Sequence, residues 1–178
     1  MSRLTTLPVA DATGATAELF SAIKKSVGKV PNVYATIGTN APDVLAAILS
    51  LDGVVSKSTL SKADNEAIRL AVSEVAGCDY CLAAHTLMGK AAGLAPDAMK
   101  RIRVGESTGD TKRDALVRFV RTIVTTHGTL PNEEVRSVLE AGYTERQVIE
   151  TALAIAAITF TNIINRVNDT TLDFPAIA

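Results

Sequence analysis

The amino-acid sequence predicts an all-α, multihelical fold, and three observations carry that expectation. Apolar residues recur three and four apart along most of the chain, no stretch alternates with the period of two that marks a half-buried strand, and capping residues stand ahead of the apolar runs. Composition agrees: alanine is plentiful, tryptophan is missing and aromatics make up 4%, which favours close helix packing over a bulky β-sandwich core.

From the amino end, Leu19, Phe20, Ile23 and Val27 form one apolar stripe, and Val44, Leu45, Ile48, Leu51 and Val55 form a second. Between these two amphipathic helices, Gly28, Pro31, Gly38 and Pro42 punctuate a connector with room only for a short helical piece around Val33 to Ile37. Ser61 and Asp64 cap a helix running to about Ala76, where Gly77 interrupts it. A new helix begins near Asp79 and ends at Gly93, so both cysteines fall in its first turn. Pro96 opens a short helix. Thr111 and Asp114 cap the next, whose buried stripe is Leu116, Phe119, Val120, Ile123 and Val124, with His127 beside the terminating Gly128 as a cap for its last carbonyls. A shorter helix runs from about Asn132 to Ala141, and Thr144 with Gln147 makes a capping box for a long final helix. An offset of 81 residues pairs Ile68 with Ile149, Ala71 with Ala152 and Ala76 with Ala157, the trace of an internal helical repeat.

A chain of 178 residues is long enough for one domain with a real core, and residues 1–178 read as a single domain. The formal net charge is −1 and no Lys/Arg block tracks a phosphate backbone or an anionic bilayer, which argues against nucleic-acid and membrane partners. The apolar run from Ala152 to Phe160 is interrupted by Thr159, Thr161 and Asn162 before the ~20 apolar residues of a bilayer span. It reads as a buried helix. No signal-type segment lies between Met1 and Gly14, and the expected setting is cytoplasmic.

The chemistry concentrates in Cys78-Asp79-Tyr80-Cys81, the only two cysteines, three residues apart. On a first helical turn that spacing brings two sulfurs within bridging range, and the unpaired amides there favour thiolate. His85, four residues past Cys81, shares their helix face and can exchange a proton with it. The helix dipole favours Cys78 as the thiolate, whereas the imidazole favours Cys81; spacing leaves that choice open. Inert packing of both cysteines is the plain alternative. A structural zinc would need a fourth ligand beyond Cys78, Cys81 and His85, and the sequence offers no second Cys-x-x-Cys or His pair. Leu82 stands where a c-type haem attachment requires histidine.

The segment Leu60–His85, LSKADNEAIRLAVSEVAGCDYCLAAH, resembles the signature of the alkylhydroperoxidase D and carboxymuconolactone decarboxylase superfamily. The matching positions are Glu66, then Cys78, Tyr80 and Cys81, then His85, with softer similarity at Val30-Pro31-Asn32-Val33 and at Asn162 and Asn165. The resemblance implies an alkylhydroperoxidase D-like helical fold that assembles into homo-oligomers, often trimers or hexamers. It implies a thiol peroxidase in which Cys81 attacks hydrogen peroxide or an organic hydroperoxide, Cys78 resolves the sulfenic acid, and Glu66 with His85 forms a proton relay. No bound cofactor is required; an external dithiol regenerates the thiols, and relatives take electrons from a lipoylated carrier protein. On its own helical wheel Glu66 lies with Arg69 and Ser73 on the polar side, opposite a buried centre of Ile68, Ala71 and Val75, and reads as solvated surface; Glu74 is the fallback. The rival functions are a decarboxylase using His85 and Glu66 without sulfur, and a non-enzymatic redox-sensing oligomer.

Overall fold

The computed structural model describes residues 2–175, and in these residues nine α-helices and a single 3-10 turn (Val9–Asp11) form and no strand does. The helices are α1 (Gly14–Val27), α2 (Asn32–Asn40), α3 (Pro42–Ser56), α4 (Lys62–Ala76), α5 (Asp79–Ala91), α6 (Pro96–Val104), α7 (Thr111–Thr126), α8 (Asn132–Glu140) and α9 (Glu145–Asn168). The expected all-helical fold is thus what the chain adopts.

Helix α4 is the axis of the bundle. It packs against α5, α6, α7 and α9, while α1, α2 and α3 form a layer that meets α9. Ser61 caps α4 as anticipated, its Oγ accepting the Asp64 N–H at 3.0 Å, an arrangement worth about 1 kcal/mol. The Asp64 carboxylate does not complete the cap; it pairs with Arg113 on α7. The Thr144–Gln147 capping box at α9 is complete in both directions.

Several local expectations change. The connector around Val33 is a nine-residue helix, because Gly38 acts as a contact and not a break: a Cβ there would lie 2.6 Å from Phe20 Cε1 and 2.8 Å from Leu45 Cδ2. The cap of α7 is Asp110, accepting from the Arg113 amide, while Asp114 instead accepts from Ser107 and Thr108 in the preceding loop. His127 closes α7 through its backbone, in the left-handed region at φ 55°, with its N–H on the Ile123 carbonyl. Val27, Val44 and Val75, placed on buried stripes by spacing, are exposed. The 81-residue offset joins unlike positions, since Ile68 is 0% exposed and Ile149 71%, and α4 stops at Gly77 while α9 runs unbroken.

Helix α9 is long and apolar enough, by length and composition, to cross a membrane. Only one face of it enters the bundle, carrying Thr151, Ala154, Ile158, Asn162, Asn165 and Asn168; Ile149, Ile163 and Val167 lie on the outside. The expectation of a buried helix therefore holds for its inner face alone.

Candidate functional site: a buried thiol pair beside a carboxylate–imidazole pair

The chain between α4 and α5 is folded by two coincident motifs. Gly77, at φ 61°, donates to the Glu74 carbonyl and Cys78 donates to the Ser73 carbonyl, which is a Schellman closure of α4. Cys78 is at the same time the N-cap of α5, with its Sγ accepting the Cys81 N–H at 3.4 Å. Arg166, reaching over from α9, donates to the Ala76 and Gly77 carbonyls at 2.7 and 2.6 Å and fixes this corner. Replacing Gly77 by alanine forces a Cβ into the left-handed region at about 1–2 kcal/mol and sets it 2.7 Å from Arg166 Nη1. A thermal melt of Gly77→Ala is expected to show a Tm about 2–8 °C lower; an unchanged Tm would show that the corner carries no strain.

Both thiols are free and 2% exposed, and their sulfurs are 2.6 Å apart, against about 2.05 Å for a disulfide. The two titrate as a pair. Contact with Cys81 pulls Cys78 below the ordinary thiol range against the cost of burial, aided by the Cys81 amide and the Arg166 guanidinium. The same contact, followed by burial, pushes Cys81 up, while the Asn165 amide works against that rise from 3.3 Å. Ionisation of the pair is therefore favoured at Cys78 over Cys81, the choice that the helix dipole favoured.

Glu66 is 7% exposed, not solvated. The polar side of α4 faces inward, where the Glu66 Oε2 lies 2.8 Å from His85 Nδ1 and its Oε1 accepts from Arg69 at 2.8 Å. Burial alone would raise the Glu66 carboxyl, but His85 and then Arg69 outweigh it and hold it below the usual carboxylate value. Arg69 extends the chain of contacts to Asp52 on α3 at 3.4 Å, and Asp52 accepts from the Tyr34 hydroxyl of α2 at 3.1 Å. Burial, then Asp52, raise the Tyr34 phenol. Glu74, the alternative carboxylate, is occupied elsewhere by Arg103 at 2.6 Å.

Of the anticipated residues, Cys78, Cys81, His85 and Glu66 lie on the facing helices α4 and α5, although no direct hydrogen bond joins His85 to either thiol. Tyr80 takes a different direction. Its hydroxyl donates to Asp173 Oδ1 at 2.6 Å and accepts from the Val33 amide, and its ring meets Phe174 edge-on with centroids 5.4 Å apart. Lys29 pairs with Asp173 and lies over the Phe174 ring, so Tyr80 anchors the carboxy-terminal segment. Among the described residues no group of three or more His, Cys, Asp or Glu side chains is placed to hold a metal ion. Sequence reasoning missed Asp52, Tyr34, Arg166 and Asp173, each joined to the site across 17 or more residues of chain.

Residues 42–121 match the profile of the carboxymuconolactone decarboxylase family. No curated protein matches the chain in sequence. Among solved structures, the alkylhydroperoxidase AhpD core of an uncharacterised peroxidase-related protein from Ralstonia eutropha superposes with a TM-score of 0.86 at 19% identity, over 97% of this chain and 92% of that one. A peroxidase-related protein from Silicibacter sp. gives 0.82 at 21% identity, over 96% and 94%. The debrominase Bmp8 gives 0.81 at 22% identity, over 97% and 93%. The helical architecture is therefore the alkylhydroperoxidase D-like one, and the stretch that carries the carboxymuconolactone decarboxylase profile, residues 42–121, contains the thiol pair, Glu66 and His85.

Proposed function

We propose that the chain is a thiol-dependent peroxidase acting on hydrogen peroxide or an organic hydroperoxide. The observation that carries this reading is the pair of free thiols 2.6 Å apart at the N-terminus of α5, with His85 one turn further along the same helix and hydrogen-bonded to Glu66. The sulfurs hold one proton between them once the pair has ionised, and moving it across their contact from Cys81 to Cys78 shifts the thiolate to Cys81. Thiolate Cys81 attacks the hydroxyl oxygen of the peroxide: an S–O bond forms, the O–O bond breaks, and the leaving alkoxide or hydroxide takes a proton delivered through His85, which the Glu66 carboxylate orients. Sulfur is oxidised by two electrons and the peroxide is reduced. Cys78 then attacks the sulfenic sulfur, an S–S bond forms and hydroxide leaves to become water. An external dithiol, oxidised to its own disulfide, returns both thiols by exchange.

A lipoyl group on a carrier protein suits that last step, and a reducing compartment such as the cytoplasm keeps the pair available. The exposed apolar face of α9, with Ile149, Ile163 and Val167, supports assembly into a homo-oligomer such as a trimer or hexamer. Mild peroxide is expected to convert two titratable thiols per chain into none without linking subunits, and dihydrolipoamide to restore both while consuming peroxide catalytically. Thiols that stay unreactive, or a pair that oxidises once without turnover, would exclude the peroxidase. A second reading rests on one feature: the Glu66–His85 hydrogen bond contains no thiol, as a decarboxylase would need. Decarboxylation surviving in a chain with both cysteines replaced would favour it.

A further inference from the structure

Behind Cys81 the bundle buries more hydrogen-bonding capacity than it uses. Asn162 and Asn165 lie one turn apart on the inner face of α9, 1% and 3% exposed. Each makes one contact with the helices opposite: Ser73 Oγ on α4 donates to Asn162 Oδ1 at 3.1 Å, and Asn165 Nδ2 donates to Cys81 Sγ at 3.3 Å. Each also has an atom without a partner among the described residues, a donor on Asn162 (Nδ2) and an acceptor on Asn165 (Oδ1). An atom left unpaired in a core forfeits its hydration with nothing in return. A free acceptor on the residue that touches the sulfur, with a free donor one helical turn before it on the same inner face, suits one chemical group in particular, an oxygen that bears a hydrogen: its O–H can donate to Asn165 and its lone pair can accept from Asn162.

We propose that Asn165 and Asn162 form an oxygen subsite on Cys81, which receives the hydroxyl oxygen of a hydroperoxide and retains it as the hydroxyl of the Cys81 sulfenic acid. The inference rests on the peroxidase reading and names the atoms that hold the transferred oxygen. Asn165 touches the reacting sulfur and is a catalytic residue; Asn162 positions the oxygen, and Ser73 holds Asn162. During the attack the O–O bond breaks and the new S–O bond leaves its oxygen between the two amides. Attack by Cys78 then breaks that S–O bond and releases the oxygen as water.

The test uses the full chain carrying Cys78→Ser, in which a sulfenic acid on Cys81 has no thiol to condense with. Two reactions are followed by intact mass: addition of one oxygen from hydrogen peroxide, and mixed-disulfide formation with a small aromatic disulfide, which engages the same sulfur but transfers no oxygen. Adding Asn165→Ala is expected to slow oxygen addition roughly tenfold and shorten the life of the singly oxidised species, with disulfide formation unchanged within about twofold. Ser73→Ala, a milder change that keeps the helix intact, is expected to slow oxygen addition about threefold. If both reactions slow together, or neither slows, the subsite is wrong while the peroxidase stands. If the chain with Cys78→Ser alone gains no oxygen, the peroxidase reading falls and the subsite with it.

Discussion

Cys81→Ser is expected to bring peroxide turnover down to the buffer background, a loss of roughly 10³-fold or more, because the proposed nucleophile is gone and Cys78 alone cannot close the disulfide of the cycle. Cys78→Ser should behave differently: one equivalent of peroxide is consumed and then the reaction stops, because the sulfenic acid has no resolving thiol. Stopped-flow peroxide consumption separates the two patterns. The contrast matters because Cys78 is the thiol whose ionisation is favoured, by Cys81, the Cys81 amide and Arg166, while the proposed nucleophile is Cys81. Should Cys81→Ser be the variant that reacts once and Cys78→Ser the inert one, oxygen transfer occurs at Cys78 and the order of the two sulfurs is reversed.

Arg69→Leu is expected to be the most destabilising substitution in the polar network, at about 3–5 kcal/mol. It removes the cation between Glu66 and Asp52 and leaves two carboxylates facing each other without one. The loss should depend on pH. Glu66 has a folded-state value below its unfolded one, so its contribution is complete above the ordinary glutamate range near about 4.3 and disappears as pH falls through the lowered folded value. Removing Arg69 takes away one of the influences that lower it, and the acid unfolding limb of the variant should begin at higher pH than that of the parent. Urea melts across the acid range test this. Equal midpoints at every pH would mean that the network contributes nothing to stability.

The cysteine corner was legible because its determinants are local: Gly77, Cys78 and the four residues after it contain both the helix closure and the cap. The helices were legible for the same reason, each being announced by spacing and caps within a dozen residues. Glu66 was legible only through the family resemblance, since a helical wheel sorts residues by polarity and takes the polar side for the wet one. On α4 that assumption fails, because partners come from helices on every side: His85 from α5, Asp52 from α3 through Arg69, Asn162 from α9 through Ser73. The oxygen-facing asparagines were visible only as faint family likeness, and nothing within their own helix distinguishes them from polar surface. Tyr80 was singled out by the motif that the resemblance matched, and its hydrogen bond to a residue 93 positions further on had no local sign.

From Asp64 to Ser73, Arg69 alone is more than slightly accessible, so the central helix has no side that water can forgive. An ordinary amphipathic helix tolerates drift on one flank, and a saturation scan of it yields a permissive position every third or fourth residue. Across this stretch the periodic gaps should be missing, with apolar positions rejecting charge and polar positions rejecting the loss of it. Changes to the surroundings of the thiol pair should therefore be accepted on the neighbouring helices far more readily than on this axis.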